Sequence, residues 1–380
     1  MRDSLHITNA RIVTADAVVQ GGLVVERGLI QEILPAGRAA PGALDLDGDY
    51  LLPGFVELHT DNLERQFQPR PKVRWPAQAA MLAHDRQIAA AGITTVCDGV
   101  CVGIYGGKRE RIEFLQTSLN ALREAQANGS LTTEHFLHLR CEVSDPHVVD
   151  MFEPLLDEPN LKLVSLMDHT PGQRQWHDID KYRTFHRGRT EASEEEFQAL
   201  IERRIEEQKI YADRHRQQLL ALARGRPITL ASHDDTTVQH VEEAAADGIT
   251  ISEFPTTHVA AEAARRQGLC VVMGAPNLVL GGSHSGNVSA QQLAEHGFLD
   301  ALSSDYVPVS LLHGAFQLHR ALDMPLPQAI APISRNPAAM IGLDDRGSIA
   351  PGLRADLVRA RLIGETPSVI AVWREGERVA

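Results

Sequence analysis

Along residues 1–50 the apolar positions alternate or gather in short runs, LHITNARIVT, GGLVVERG and LIQEILPAG, separated by Gly, Pro and Asp. That is the texture of β-strands joined by turns. It returns at the other end of the chain, in GSIAPGLRADLVRARLIG and PSVIAVWREGERVA. Neither end carries enough apolar side chains to bury a core alone. The pattern therefore predicts one small composite β-sandwich built from residues 1–50 and 346–380.

Residues 51–345 follow a different rhythm, in which short apolar runs alternate with helical periodicity. The strand candidates are LLPGFVEL (51–58), GITTVCDG (92–99), HFLHLRCEV (135–143), LKLVSLMDH (161–169), PITLASHD (227–234), GITISEF (248–254), GLCVVMGA (268–275) and FLDALSSD (298–305). Between them lie segments such as AQAAMLAHDRQIAAA and HVAAEAARRQG, most closed by a glycine of the kind that caps helix C-termini. Eight β/α units in this length predict an α/β fold, a TIM-type (β/α)8 barrel, as the single large inserted domain. The interval 170–226 is oversized for a connection, with a helical excursion expected over about 175–226. Its EASEEEFQALIERRIEEQKIYADRHRQQLLALARG predicts long charged helices laced with i,i+4 pairs. The charge pattern favours a solvated excursion or a dimer contact, with a lid over the barrel mouth as the other reading.

Composition narrows the function classes. A formal charge of −13 disfavours nucleic acid and anionic membrane surfaces as partners. Local basic clusters still leave room for an anionic small molecule. The four cysteines (Cys97, Cys101, Cys141, Cys270) make neither a CxxC pair nor a small disulfide framework, so reduced thiols are expected. The N-terminus lacks the apolar stretch of a signal peptide, and no run approaches the ~18 apolar residues needed to span a bilayer. A cytoplasmic protein is the expectation.

The chemistry gathers at the predicted strand ends, which in a barrel of this type face the active site. They carry His59-Thr60-Asp61, Glu142, Asp168-His169, His233-Asp234-Asp235, Glu253 and Asp305. Any one of these would ordinarily be a hydrogen-bonded structural residue. Their recurrence after separate strands points to a metal centre, and mixed His/carboxylate donors suit Zn²⁺, Mn²⁺ or Fe²⁺ better than Mg²⁺ or Ca²⁺. Strand alternation puts His59 and Asp61 on one side, and Glu142 is placed to bridge two ions. Just behind the first pair sit Arg65, Arg70, Lys72 and Arg74, while Arg140 and Arg174 flank Glu142 and His169.

These features together resemble the amidohydrolase superfamily: the split β-domain, 52-LPGFVELHTD-61, 303-SSDYVP-308 and 334-SRNPAAMIGL-343 before 347-GSIAPGLRADLV-358. Within it, ELHTDNLERQFQPRP, MDHTPGQRQW, SHDDTT, SEFPTT and NLVLGGSHSGNVSA resemble the PhnM family of phosphonate-breakdown hydrolases in the carbon–phosphorus lyase pathway. The resemblance implies hydrolysis of α-D-ribose 1-methylphosphonate 5-triphosphate to the 5-phosphate and pyrophosphate, with Asp305 as the catalytic proton acceptor. It implies one or two divalent transition-metal ions, zinc ahead of manganese or iron. The implied ligands are His59, Asp61, Glu142, His169, His233 and Asp305. The first motif is HxD where HxH is common, and Glu253 stands where a histidine ligand is frequent. Expected triphosphate contacts are Arg65, Arg70, Lys72, Arg140 and Arg174, with His284 in the loop 281-GGSHSGNVS-289. A cyclic-amide hydrolase or deaminase of the same superfamily is the competing reading. The expected partner is the small-molecule triphosphate, and a homo-oligomer, as a dimer through the 190–225 helices, is also expected.

Overall fold

The computed structural model describes residues 4–38, 42–70, 72–103, 110–187, 193–283 and 286–380. The N-terminal segment forms β1 (Ser4–Val13), β2 (Val18–Glu26), β3 (Leu29–Pro35), β4 (Leu44–Asp45) and β5 (Tyr50–Pro53). The barrel strands follow: β6 (Phe55–Thr60), β7 (Ile93–Val102), β8 (Glu134–Glu142), β9 (Leu161–Met167), β10 (Thr229–His233), β11 (Ile251–Glu253), β12 (Cys270–Gly274) and β13 (Ala301–Ser303). The chain returns as β14 (Leu357–Ile363), β15 (Thr366–Arg374) and β16 (Glu377–Arg378).

The terminal strands make one mixed sheet in the order β16-β15-β14-β5-β1-β2-β3, with β4 added on β1. β14, β15 and β16 continue this sheet outward from β5 to one edge, and Ile7, Ile12, Leu23, Leu51, Leu357 and Trp373 form its core, separate from that of the barrel. The apolar run 51–58, expected to be one strand, is divided at Gly54: Leu51–Pro53 pair with β14, and the barrel begins at Phe55. A Cβ at position 54 would lie 2.3 Å from Thr94 Oγ1 and 2.9 Å from Asp356 Cβ, so only glycine passes there.

All eight barrel strands stand in sequence order and pair in parallel. The ring closes at the C-terminal ends alone, where Thr60 bridges to Asp305. There the Asp61 N–H donates to the Asp305 carbonyl at 2.9 Å, and the Asp305 N–H donates to the His59 carbonyl at 3.1 Å. The seam therefore brings the first and last strand ends together by backbone bonds. Lower in the barrel Leu163, Ala231 and Ile251 belong to an apolar plug. Two residues on, the same strand faces carry Ser165, His233 and Glu253, so period-2 alternation turns an oily floor into a polar mouth.

Around the barrel run α1 (Asn62–Phe67), α2 (Ala77–Ala90), α3 (Glu110–Ala127), α4 (Val148–Phe152), α5 (Ile179–Arg187) and α6 (Glu194–Ala223), then shorter helices after each later strand. The charged excursion is one 30-residue helix, α6, started by a capping box between Ser193 and Glu196. It is not solvated all round: Phe197, Ile201, Leu219 and Leu220 are buried. Among the described residues no helix is long and apolar enough to cross a membrane.

Outside the barrel wall, between α2, β7 and β8, four fully enclosed groups form a charged relay. Asp98 lies 2.7 Å from both His84 Nε2 and His135 Nδ1, and Asp85 Oδ1 is 3.2 Å from His135 Nε2. Burial opposes the ionisation of Asp85 and His135, but mutual attraction prevails: Asp85 is held down at about 2 and His135 raised to about 9. The His135 contribution is complete below its ordinary value of 6.5 and is lost as pH rises through about 9. The Asp85 contribution is complete above 3.8 and is lost as pH falls toward about 2. Melting temperature is thus expected to be highest between these limits and to fall from pH 6.5 to 9, with His135→Gln flattening that descent. A melting temperature that rises over this interval would contradict the relay.

Candidate active site

A cavity of about 790 Å³ opens at the C-terminal end of the barrel. Its floor collects His59 and Asp61 from the end of β6, Arg140 from β8, His169 after β9, His233 and Asp234 from β10, and Asp305 after β13. Two groups of donor atoms each fall within 4.8 Å of one another: His59, Asp61 and Asp305, and His169, His233 and Asp234. The His59 and His233 rings stack with centroids 5.6 Å apart, so the two groups are neighbours in one floor.

Carboxylates set back from the cavity orient all three imidazoles. Glu253 Oε1 is 3.1 Å from His59 Nδ1, and its Oε2 is 3.2 Å from His233 Nδ1. Glu142 Oε2 is 2.8 Å from His169 Nδ1. A carboxylate beside Nδ1 keeps the proton there and leaves the Nε2 lone pair for an ion. The three Nε2 atoms lie 3.7–4.0 Å from Asp61 or Asp234, farther than a hydrogen bond. This donor set fits divalent cations: three imidazoles turn Nε2 toward carboxylates gathered too closely to be comfortable alone. Burial and the nearby charge of Asp61 push Asp305 up to about 6. Burial opposes the charge on Glu253, yet His138 and His59 hold it well below the carboxylate range. Glu142 is likewise brought to about 2 by His169 against burial.

Backbone geometry marks the same rim. Asp234, Phe254 and Asp305 have φ of 55°, 53° and 52°, left-handed values at three barrel strand ends. Non-glycine residues adopt this region at a cost, and its clustering here is the signature of a site that over-determines its side chains. The seam is tied further by Glu57, whose oxygens accept from the His59 N–H at 2.7 Å and the Ser304 N–H at 2.6 Å. Burial raises Glu57 to about 7.

The expected residues separate by placement. His59, Asp61, His169, His233, Asp305 and Arg140 all line the cavity. Glu142 does not: it stands behind His169, and Asp234 takes the carboxylate position in that group. Glu253 is a clamp on two histidines rather than a residue at the cavity surface. Arg174 is turned away, donating to Asp235 at 2.6 Å and to the His233 carbonyl at 2.8 Å. A buried guanidinium needs such a partner, and Asp235 supplies it. Arg65 reaches the rim by donating to the Tyr306 carbonyl at 2.5 Å, whereas Arg70 and Lys72 are exposed and lie off the cavity lining. Arg140 donates to Asp61 and is the one Lys or Arg among the described lining residues. His284 lies outside the described residues; its neighbours Gly282 and Ser283 line the cavity.

The sequence placed Asp234 at a strand end but outside the implied ligand set, and it assigned no role to the rings Trp176, Tyr182, Phe185 and Phe197, which form one wall of the cavity. Those rings come from the excursion, so the segment is part of the site rather than a solvated appendage.

Comparisons with known proteins agree with this geometry. The chain is 45% identical over 375 residues to alpha-D-ribose 1-methylphosphonate 5-triphosphate diphosphatase of Escherichia coli (strain K12), covering 98% of this chain and 99% of that protein. The sequence profile of the amidohydrolase family matches residues 220–380. Among solved structures, the 5-methylcytosine deaminase from Klebsiella pneumoniae superposes with a TM-score of 0.63 at 15% identity, covering 99% of this chain and 98% of that one. The N-acetylglucosamine-6-phosphate deacetylase from Pasteurella multocida gives 0.61 at 14%, covering 99% and 100%. At those identities the structural likeness speaks for the fold.

Proposed function

This chain belongs to the amidohydrolase family, and we propose that it hydrolyses alpha-D-ribose 1-methylphosphonate 5-triphosphate to alpha-D-ribose 1-methylphosphonate 5-phosphate and pyrophosphate. The observation that carries the reading is end-to-end identity of 45% with a diphosphatase of that substrate. The two His/Asp groups on one cavity floor support it.

His59, Asp61 and Asp305 would hold one divalent ion, and His169, His233 and Asp234 a second. Imidazole and carboxylate donors favour zinc, with manganese or iron as substitutes. The chemistry supplied by ions at these positions is Lewis-acid polarisation of a phosphoryl oxygen and activation of water near neutral pH. The protein does the rest. Glu253 and Glu142 fix the imidazole tautomers. Asp305, raised toward neutrality by burial and by Asp61, takes the proton of the attacking water at its carboxylate and returns it to the leaving group. Arg140 offsets phosphate charge from within the cavity, and Arg65 does so from the rim. The 282–283 stretch lets backbone approach the phosphates closely.

Phosphorus NMR of the purified protein with the triphosphate in ¹⁸O water tests this reading. Pyrophosphate and the ribosyl 5-phosphate should appear in equal amounts, and the label identifies the phosphorus that is attacked. A chelator should stop the reaction, and added Zn²⁺ or Mn²⁺ should restore it. Stepwise release of orthophosphate, or turnover indifferent to chelation, would refute the proposal.

A further inference from the structure

The cavity is divided chemically in two. One side is the His/Asp floor with Arg140; the other is an aromatic wall of Trp176, Tyr182, Phe185 and Phe197, all supplied by the excursion after β9. The rings support one another: Trp176 and Phe185 centroids are 5.0 Å apart, Trp176 and Tyr182 meet edge-on at 5.5 Å, and Tyr182 stacks on Phe197 at 6.3 Å. With Ile201 they form their own small core, separate from the clusters of the barrel. A turn fixes Trp176 by backbone: its N–H donates to the Gln173 carbonyl at 2.7 Å, and the Trp176 carbonyl accepts from the Gly172 N–H at 2.8 Å.

Trp176 is 6% exposed, and its indole Nε1 has no hydrogen-bond partner among the described residues. A buried donor left unmatched is costly, so a residue kept in this state at a cavity wall implies an acceptor that arrives with a ligand. The wall does not suit the triphosphate, because ring faces carry negative quadrupole density and repel an anion being stripped of water. It does suit a furanose, which offers an apolar C–H surface to stack on a ring and hydroxyl oxygens at its edge to accept from an indole N–H.

We propose that this aromatic wall is the sugar subsite, with the ribose ring lying against Trp176 and Phe185 and a ribose oxygen accepting from the Trp176 N–H, while the triphosphate extends to the His/Asp floor. The assignment rests on the diphosphatase reading and adds the orientation of the substrate and the residues that select its sugar. The wall holds the sugar equally before and during reaction, so its loss weakens binding rather than slowing the chemical step.

Two probes separate the subsites: ribose 5-phosphate for the wall and pyrophosphate for the floor, titrated calorimetrically into the metal-loaded protein. Trp176→Phe keeps a ring and removes the N–H. It should weaken ribose 5-phosphate about 3- to 10-fold, the equivalent of one hydrogen bond, and leave pyrophosphate unchanged. Phe185→Ala should act in the same direction. Saturation-transfer NMR should carry magnetisation from protein aromatic protons to the ribose C–H protons in the wild type. Three results would overturn the assignment: no binding of ribose 5-phosphate by the wild type, no aromatic transfer to the sugar, or equal weakening of both probes in Trp176→Phe. Failure of the diphosphatase reading shows differently, as wild-type protein that releases no pyrophosphate from the ribosyl triphosphate.

Discussion

Replacing Asp305 by asparagine is expected to lower turnover by about 10²- to 10⁴-fold, the usual contribution of a positioned proton-transfer group, while leaving the fold intact. The two effects separate because the backbone of residue 305 closes the barrel and its carboxyl does not. Its N–H donates to His59, and its carbonyl accepts from Asp61 N–H at 2.9 Å and Thr60 Oγ1 at 2.8 Å. Asparagine also tolerates the left-handed φ of 52° found here, which alanine does not. Asp305→Asn should therefore melt near the wild-type temperature, and Asp305→Ala measurably lower. Single-turnover rates with circular dichroism make the comparison. A near-normal rate in Asp305→Asn would remove the residue from the chemistry.

The second large effect is expected at a residue that does not line the cavity. Glu253 accepts from two imidazoles at once, His59 through Oε1 and His233 through Oε2, and Ser165 Oγ lies 2.5 Å from that same Oε2. Glutamine has nearly the same shape but only one acceptor oxygen. In Glu253→Gln one imidazole therefore loses its acceptor, and facing an amide N–H it must move its proton to Nε2. A protonated Nε2 cannot hold a metal. Metal affinity should drop about 10- to 100-fold, the range seen when a group orienting a ligand is removed. Competition with a chromogenic chelator measures the drop directly. Wild-type affinity in this variant would show that Glu253 only fills space.

Both expectations rest on groups whose residue types were visible in the linear chain but whose partners were not. The apolar runs located all eight barrel strands, and polar residues close six of them, because a buried parallel strand needs continuous apolar sequence and its C-terminal end meets solvent. Alternation put His59 and Asp61 on one side, and position at a strand end picked out His233 and Asp305, all four of which line the cavity. The composite terminal sheet was legible because neither end could bury a core without the other.

Partner choice was beyond reach of such local rules. Period-2 alternation says which face a side chain takes, not what stands across from it. Glu142 and Asp234 both follow strand ends, yet only the barrel's curvature sets one behind His169 and the other beside it. Arg174 reads like any cation near a phosphate site until Asp235 is found 2.6 Å away. Tyr182 and Phe185 stand at helical spacing, but nothing local joins them to Trp176 and Phe197, and the four become a wall only because two helices and a turn come together at the cavity. Element type and strand-end chemistry follow from short-range sterics and burial, which the chain carries locally. The pairing of charges, the tautomers of three histidines and the aromatic wall depend on contacts between distant segments, which exist only once the ring of strands has closed between His59 and Asp305.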